Sequence, residues 1–177
     1  MKIKMKIFAY NEGVHATLIS KIVELTGCKL YLELGVAQGY NIHEVSKYCD
    51  NCIGVDILDT RIHFDHDFRL TTTDDFFKTF NQKADVIFID ADHNFEQVKI
   101  DFENALNCLS VHGIIFLHDT DPSRKEFLGP MACGDSYKMN EWLQENHPEL
   151  NMITLPITIA GLTIVNRDKD RRLLKFL

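Results

Sequence analysis

Apolar residues recur along the chain in two spacings, one typical of helices and one typical of buried strands. Between positions 14 and 25 they return every three or four residues, which predicts an amphipathic helix over residues 13–26. Gly27 follows at the position where helices commonly end. The same reasoning predicts further helices at 40–48, 74–80, 94–109 and 136–146.

Short, uninterrupted apolar runs predict strands that are covered on both faces. Such strands are expected at 30–34, 52–56, 68–71, 86–89 and 114–117. Gly113 is expected to turn the chain into the last of them, and two final strands, 152–155 and 162–165, are expected to pair with each other. Strands that alternate with helices predict a doubly wound α/β sheet of five mainly parallel strands with a C-terminal antiparallel hairpin.

The length and composition are those of a single folded domain spanning residues 1–177. Hydrophobic residues make up 45% of the 177, which is enough to bury a proper core. The formal net charge of −7 argues against a nucleic-acid partner, because binding the phosphate backbone needs clustered Lys and Arg. The basic run Lys169–Arg172 contains Asp170 and is interpreted as a solvated tail.

The sequence also limits where the protein is expected to work. It contains no apolar run long enough to cross a membrane, and the alternating residues Met1–Phe8 favour an edge strand or a fraying arm over a signal peptide. Five cysteines without a disulfide-scaffold pattern suggest a reducing, cytoplasmic setting. Cys49 and Cys52 form an isolated C-x-x-C for which we favour a structural role.

The first segment with chemical character follows the strand at 30–34 and runs from Glu33 to Gly39. Glycines at 35 and 39 let the backbone approach a ligand at the carboxyl end of a strand. The dinucleotide pattern G-x-G-x-x-G is not met, because position 37 is Ala37. Glu33 would repel a pyrophosphate but would suit the ammonium group of an amino-acid-bearing ligand. The alternative is an ordinary strand–turn–helix connection.

The second segment ends the next strand at Asp56, 17 residues after Gly39. A carboxylate at this place can accept hydrogen bonds from the two hydroxyl groups of a ribose. The alternative is a strand-end Asp that makes a turn. Thr73 and Asp74, after the third strand, are weaker candidates for contact with adenine.

The third group comprises Asp90, Asp92 and Asp119, which follow the strands at 86–89 and 114–117. Because parallel strands end at one edge of a sheet, the three carboxylates are expected to converge. They would repel one another unless a cation lay between them, and oxygen ligands are what Mg²⁺ prefers. His63, Asp65, His66 and Asp67 are also rich in ligand atoms, but their spacing favours a solvated polar loop.

Glu33-x-Gly35-x-x-x-Gly39 resembles motif I of class I S-adenosylmethionine-dependent methyltransferases. The stretch FIDADHNFE at 88–96, together with FLHDT at 116–120, resembles the O-methyltransferase-like branch that includes catechol-type enzymes and those of sugar and macrolide pathways. The resemblance covers residues 28–120 and implies a Rossmann-like fold. Together with the positions discussed above, it leads us to expect that the cofactor S-adenosylmethionine is bound by Glu33, Gly35, Gly39, Asp56, Thr73, Asp74 and Asp90.

The same resemblance suggests where catalysis takes place. In metal-dependent relatives the acids at the positions of Asp90 and Asp119 are ligands, so Mg²⁺ is a possible cofactor; where such relatives often carry a further Asp or Asn, this chain has Thr120. His93 lies where catechol-type relatives place a basic catalytic residue, and its neutral imidazole could take a proton. It could instead cap the next helix or orient Asp119. His118 is either a proton acceptor, a ligand or a buried structural residue.

The expected function is methyl transfer from S-adenosylmethionine to a small hydroxylated acceptor. Catalysis would rest on orientation of the reactants, on a base, and on the candidate catalytic residues His93, His118 and Asp119. Aminopropyl transfer on the same fold and a catalytically inert cofactor-binding protein are the alternatives. The long loop 119–135 is expected to close over the cleft, and a homodimer is a further possible source of cover for the acceptor.

Overall fold

A seven-stranded sheet forms the centre of the computed structural model, which describes residues 13–62, 67–129 and 132–167. Its strands are β1 Tyr31–Leu34, β2 Cys52–Asp56, β3 Asp67–Leu70, β4 Ala84–Ile89, β5 Leu109–His118, β6 Asn151–Leu155 and β7 Leu162–Asn166. Their spatial order is β3-β2-β1-β4-β5-β7-β6. The first five strands are parallel, and β7 is antiparallel to both β5 and β6. This confirms the predicted doubly wound sheet with its C-terminal hairpin.

The structure has five α-helices in its described residues, and capping side chains or a glycine explain where several of them begin or end. They are α1 Gly13–Thr26, α2 Tyr40–Ser46, α3 Thr73–Thr79, α4 Phe95–Cys108 and α5 Met139–Asn146, the last preceded by a 3-10 turn at Ser136–Lys138. Thr72 caps α3 by accepting from the backbone N–H of Asp75 at 3.1 Å, and Asn94 caps α4 in the same way. Gly27, with a φ of 63°, ends α1 as expected.

Two apolar layers cover the sheet, one on each face. Tyr31, Phe88 and Phe116 point to the face covered by α1 and α2. The alternate strand residues, among them Leu32 and Ile87, point to the face covered by α3, α4 and α5. Since successive strand side chains point to opposite faces, burial on both sides explains why these strands are uninterrupted apolar runs.

The prediction for Gly113 was wrong in detail. It does not start a strand after a turn, because β5 already begins at Leu109 and runs through Gly113. The pairing of β5 with β4 shifts register between Ala84 and Val86, which accommodates the extra residues. A side chain at 113 would lie 2.6 Å from the side chain of Leu109 and 3.0 Å from the backbone oxygen of Asp85, so the glycine serves packing inside the sheet.

Three expectations fall on residues outside the described ranges, namely the edge strand or arm at 1–8, the polar loop at 63–66 and the solvated tail at 169–172. Within the described ranges no helix combines the length and apolarity needed to span a bilayer. Asp67 is described and begins β3, where its carboxylate pairs with Arg69 at 2.7 Å.

Candidate active site

The carboxyl ends of the parallel strands form an edge where most of the predicted residues meet. The strand order reverses between β1 and β4, which is where open α/β sheets bind ligands. Two adjoining clefts of about 330 and 270 Å³ open there and share Gly35, Asp56 and Ala91. The first is also lined by Glu33, Gly39, Asp90 and His118, and the second by Thr73 and Asp74.

Gly35 brings the ends of β1 and β4 into close contact. Its φ is 84°, a left-handed conformation that side chains disfavour, and a Cβ there would lie 2.2 Å from the backbone oxygen of Asp90. The glycine is therefore required by strand-to-strand packing, in addition to the ligand approach that the motif suggested. Gly39 has a φ of 82° and stands at the N-terminus of α2.

Glu33 lies beneath the cleft and is almost completely buried, with 1% of its surface exposed. Tyr31 donates a hydrogen bond to its carboxyl group at 2.5 Å, and the side-chain amide of Asn41 donates another. Burial raises the pKa of Glu33 to about 8, although these two hydrogen bonds act in the opposite direction. A buried carboxyl group with a raised pKa gains most from a cation placed beside it.

Asn41 completes this group and was not recognised from the sequence. Its Nδ2 donates to Tyr31 Oη at 2.6 Å as well as to Glu33, but its Oδ1 is buried and has no hydrogen-bond partner. A buried acceptor without a partner costs free energy, about 1–3 kcal/mol. The Asn41 amide oxygen and the Glu33 carboxyl group are therefore hydrogen-bond acceptors that fit the ammonium group of an amino-acid-bearing cofactor. No motif pointed to Asn41, because it lies on a short helix after the glycine turn.

Asp56 holds the glycine turn in place. Its Oδ2 accepts from the backbone N–H groups of Val36 and Ala37 at 2.8 and 3.0 Å, and its Oδ1 accepts from Leu58 at 2.9 Å. A carboxylate has about four acceptor positions, so at least one is left for a ribose hydroxyl. The alternative prediction, that Asp56 makes a turn at the end of its strand, thus describes its contacts in the absence of a ligand.

The second cleft lies between the start of α3 and the side of α4. Thr73 and Asp74 line it, as do Gln97 and Asp101 from α4. Gln97 Nε2 lies 3.2 Å from Asp74 Oδ1 and 3.1 Å from Asp101 Oδ1, so one amide connects the two helices. Asp92 also lines this cleft; its Oδ1 accepts from the backbone N–H of Asn94 at 2.8 Å, and it is outside the close group that contains Asp90 and Asp119. The expected convergence of three carboxylates is therefore a convergence of two.

A compact cluster of charged groups lies at the ends of β4 and β5. His118 Nδ1 is 3.0 Å from Asp90 Oδ1 and 3.5 Å from Asp119 Oδ1. Burial alone would lower the pKa of His118, but the two carboxylates outweigh it and raise that pKa to about 10. His118 is therefore a cation at neutral pH, which disfavours its predicted role as proton acceptor. Asp119 stands at a φ of 61°, a conformation seldom used by residues other than glycine.

His93 reaches the same cluster from the loop before α4. Its Nδ1 contacts the backbone carbonyl of Ala132, and its Nε2 lies 3.1 Å from Asp119 Oδ2 and 3.8 Å from Asp90 Oδ1. Since a carbonyl only accepts, Nδ1 carries a proton in this contact, and the other ring nitrogen, Nε2, faces the carboxylate of Asp119. The ligand atoms of Asp90, His93 and Asp119 lie within 4.8 Å of one another, a donor set that fits a divalent cation.

His15 of α1 also belongs to this side of the cleft, and the sequence analysis missed it. Its ring lies 4.8 Å from that of His118 and 5.6 Å from that of Phe88, measured between centroids. Its Nδ1 is buried without a partner, and burial, followed by the charge of His118, lowers the pKa of His15 to about 4. His15 was one polar position on a predicted amphipathic helix, so no local signal distinguished it.

The segment 119–135 is attached near both of its ends. The backbone N–H groups of Asp121 and Ser123 donate to Ala160 and Ile159 at 2.8 and 2.9 Å. At the other end the backbone N–H of Asp135 donates to His93 at 3.0 Å, and the Asp135 carboxylate accepts from the N–H of Phe95 at 2.6 Å. Only the middle of the segment is left for the predicted closing movement.

A comparison with known families agrees with this arrangement. A family model described as a methyltransferase domain matches residues 32–120, half of the chain. This chain belongs to the methyltransferase-domain family. The matched range includes β1, β2, β4 and β5 with the loops that form the cleft, and it confirms the resemblance drawn from the motifs. Among curated proteins, no sequence is significantly similar to this chain.

Solved structures extend the comparison to the fold. An O-methyltransferase from Bacillus cereus in complex with S-adenosylhomocysteine matches with a TM-score of 0.71 and 16% identity, over 89% of this chain and 82% of its own. A Podospora anserina methyltransferase, also bound to S-adenosylhomocysteine, gives 0.69 and 17% over 86% and 77%. TomG from Streptomyces achromogenes, an O-methyltransferase of tomaymycin synthesis bound to S-adenosylmethionine, gives 0.63 and 13% over 86% and 79%. These matches confirm the fold of the methyltransferase domain.

Proposed function

We propose that this domain transfers a methyl group from S-adenosylmethionine to a hydroxyl group of a small molecule. The observation that carries the cofactor assignment is the buried group of Glu33 and Asn41 below the Gly35 turn. It combines a carboxyl group of raised pKa with an acceptor that has no partner, at the point where the strand order reverses. That chemistry suits the α-ammonium group of the methionine portion.

The two adjoining clefts would hold different portions of such a cofactor. Glu33, Asn41 and the turn from Gly35 to Gly39 would hold the amino-acid portion, with Asp90 at its side. Asp56 would bind a ribose hydroxyl with the acceptor position that the turn leaves free. Thr73 and Asp74 would border the adenine. When bound, S-adenosylmethionine supplies an activated methyl group on a sulfonium ion.

The acceptor would lie against the cluster of His15, His93, His118, Asp90 and Asp119. His118, whose pKa the two carboxylates raise, would stay protonated and hold Asp90 and Asp119 in place. His93 Nε2 lies 3.1 Å from Asp119 Oδ2; it would take the hydroxyl proton, and the Asp119 carboxylate would stabilise the imidazolium that forms. Alignment of the acceptor oxygen with the methyl group would supply the larger share of the acceleration.

Asp90, His93 and Asp119 would together hold a divalent cation such as Mg²⁺ if the acceptor is bound through a metal. The cation would orient the acceptor oxygen and lower its pKa. In that case His93 would be a ligand and not the base, and the proton of the acceptor hydroxyl would be lost to water. Activity that survives dialysis against EDTA undiminished would refute the metal and leave His93 as the base.

The alternatives use the same cofactor site. An aminopropyl transferase would bind a decarboxylated cofactor, which lacks the carboxylate of the methionine portion. A catalytically inert protein would bind S-adenosylmethionine without turnover of any acceptor. A small-molecule partner is favoured over nucleic acid because the formal net charge is −7. Association into a homodimer stays a prediction that gel filtration with light scattering would test.

Calorimetric titration with S-adenosylmethionine and S-adenosylhomocysteine tests the proposal directly. Wild type should bind both, and Asp56→Ala should weaken binding by about 1–3 kcal/mol through loss of a charged acceptor. Asp50→Ala removes a carboxylate from an exposed position after α2 and serves as the matched control. Absence of binding to wild type, or equal affinity in the two variants, would contradict the assignment of the cleft. NAD should not bind appreciably.

A further inference from the structure

Asp101 is a buried acid that the proposed chemistry does not use. It lies on α4 with none of its surface exposed. Gln97, one helical turn earlier, donates to its Oδ1 at 3.1 Å. Its other oxygen, Oδ2, is buried and has no hydrogen-bond partner. An acid inside a helix, on the face that packs against a sheet, needs a reason to be there.

The position of Asp101 indicates what could satisfy it. It lies at the base of the second cleft, together with Thr71, Thr72, Thr73, Asp74, Asp92 and Gln97. This lining contains no Lys or Arg, so no fixed cation compensates the carboxylate. Burial raises the pKa of Asp101 to about 6, although the Thr73 hydroxyl and the Gln97 amide act in the opposite direction. Near pH 7 the carboxyl group is therefore mainly ionised, and its Oδ2 is the acceptor that lacks a donor.

A metal ion is a poor candidate for that donor. The group of Asp90, His93 and Asp119 has its ligand atoms within 4.8 Å of one another, and Asp101 is outside it. Gln97 also turns an amide N–H toward both Asp74 and Asp101, which a bound cation would repel. A neutral N–H donor suits the free Oδ2 better, because one hydrogen bond satisfies that atom and no further oxygen ligands are needed.

We propose that Asp101 recognises the exocyclic amine of the adenine ring, accepting its hydrogen bond at Oδ2 and making the cleft selective for 6-aminopurines over 6-oxopurines. This rests on the proposed function, since it assumes that the adenosine portion occupies the second cleft. A 6-oxopurine would place a carbonyl oxygen against the carboxylate. Two acceptors would then face each other, and a buried group would be left unpaired.

Binding of two cofactor products tests this assignment. S-adenosylhomocysteine and its deaminated analogue S-inosylhomocysteine differ at the 6-position of the purine and in the protonation of N1. Their dissociation constants are to be measured by calorimetry at pH 7.5 for wild type and for Asp101→Asn. Wild type should favour the adenine compound by at least about 30-fold. The variant keeps the shape, and its amide can donate to a 6-oxo group, so the preference should fall to about threefold or less.

Asp75→Asn is the matched control. It makes the same chemical change on an exposed residue of α3 that does not line the second cleft, and it should keep the wild-type preference. Far-ultraviolet circular dichroism and thermal melts establish that the variants are folded. If Asp101→Asn does not fold, the wild-type preference decides alone, and a value below about 30-fold would overturn the proposal.

The outcomes separate this proposal from the cofactor assignment on which it rests. Wild type that binds neither compound would contradict the proposed function itself. Wild type that binds S-adenosylhomocysteine but discriminates less than about 30-fold, or Asp101→Asn that keeps the full preference, would remove only the role of Asp101. A preference that falls in Asp101→Asn and persists in Asp75→Asn supports it, since a structural role would weaken both ligands equally.

Discussion

The cofactor side and the acceptor side of the cleft lie on the same edge of the sheet, but the chain assembles them differently. Glu33, Gly35 and Asp56 come from the ends of neighbouring parallel strands, within one stretch of the sequence. The acceptor side brings together His15 from α1 and His118 from the end of β5, with the carbonyl of Ala132 held against the His93 ring. One side is local in sequence and the other is not.

The two sides also treat charge differently. On the cofactor side the buried acid Glu33 has only neutral donors as partners, and burial raises its pKa to about 8. On the acceptor side two carboxylates, Asp90 and Asp119, enclose His118 and raise its pKa to about 10. The buried Glu33 would be stabilised by the ammonium group of a ligand, whereas Asp90 and Asp119 already have a cation, His118, between them. Changes on the cofactor side should therefore act on affinity, and changes on the acceptor side on turnover.

The largest effect is expected where the two sides meet, at Gly35. In Gly35→Val the new side chain would collide with the backbone of Asp90 and strain a left-handed residue. Left-handed strain of about 1–2 kcal/mol and overpacking of about 1–3 kcal/mol should together remove much of the stability, along with cofactor binding. Urea unfolding followed by circular dichroism measures the loss of unfolding free energy.

Gly129→Ala is the control, because a Cβ at 129 meets no atom within 4 Å. It should unfold like wild type. A Gly35→Val protein with wild-type stability and wild-type affinity would show that the contact between β1 and β4 is not what the glycine serves. It would also remove the motif I assignment.

The second effect concerns turnover alone. Asp119→Asn keeps the size of the side chain but removes one of the two charges that hold His118 and the contact to His93. We expect the rate of methyl transfer to fall at least about 100-fold, as for loss of a positioned acid–base group. The affinity for S-adenosylhomocysteine should change less than threefold, because Asp119 lies on the acceptor side. A threefold change corresponds to a binding free energy on the order of 0.6 kcal/mol.

Asp121→Asn changes an exposed carboxylate two residues later and should leave both quantities unaltered. Single-turnover kinetics and calorimetry provide the two readouts, once an acceptor has been found by screening small phenols and alcohols. An Asp119→Asn enzyme that keeps its rate but loses the cofactor would reverse the division between the two sides.

A smaller effect is expected for proton release at Glu33. Its pKa of about 8 in the free protein means that the carboxyl group is mostly protonated at pH 7. An ammonium group bound beside it lowers that pKa, so cofactor binding should release a proton, and affinity should rise as the pH increases toward 8. Calorimetry at pH 7 in buffers of different ionisation enthalpy counts the protons.

Glu33→Gln supplies the comparison for this measurement. It should bind about tenfold more weakly, because a charge-assisted hydrogen bond is lost while the cost of deprotonation is avoided. It should also release about one proton fewer than wild type, with the contribution of other groups cancelling in the difference. Equal proton counts in the two proteins would mean that the ammonium group does not approach Glu33.

The smallest effect concerns the segment 119–135. Because both of its ends are attached, cleavage by trypsin after Arg124 or Lys125 reports on the short middle part alone. S-adenosylhomocysteine together with an acceptor should slow cleavage there by a few-fold, roughly threefold, if the segment closes over the cleft. Cleavage within the rest of the chain serves as the internal reference. Equal rates with and without ligands, in protein shown to bind them, would leave the segment as a fixed surface feature.

The pattern of apolar residues was sufficient to predict the layers of this protein. Strands that are buried on both faces need apolar residues at every position, so uninterrupted apolar runs predicted the central strands. Helices that are buried on one face need apolar residues every three or four positions, and that spacing predicted the helices. The positions of the candidate cofactor residues could also be predicted from the sequence. Glu33, Gly35 and Asp56 stand at strand ends, and parallel strands end at one edge whatever the details of packing.

Tertiary structure decided what depends on contacts between distant segments. The sequence carried no sign that His15 would lie against His118, that Asn41 would hold Glu33, or that Asp92 would lie outside the group of Asp90 and Asp119. Gly113 signalled a turn but serves packing inside β5. Periodicity records whether a residue is buried, but a buried polar side chain depends on its partner, and the partner is chosen by how helices and strands pack in three dimensions.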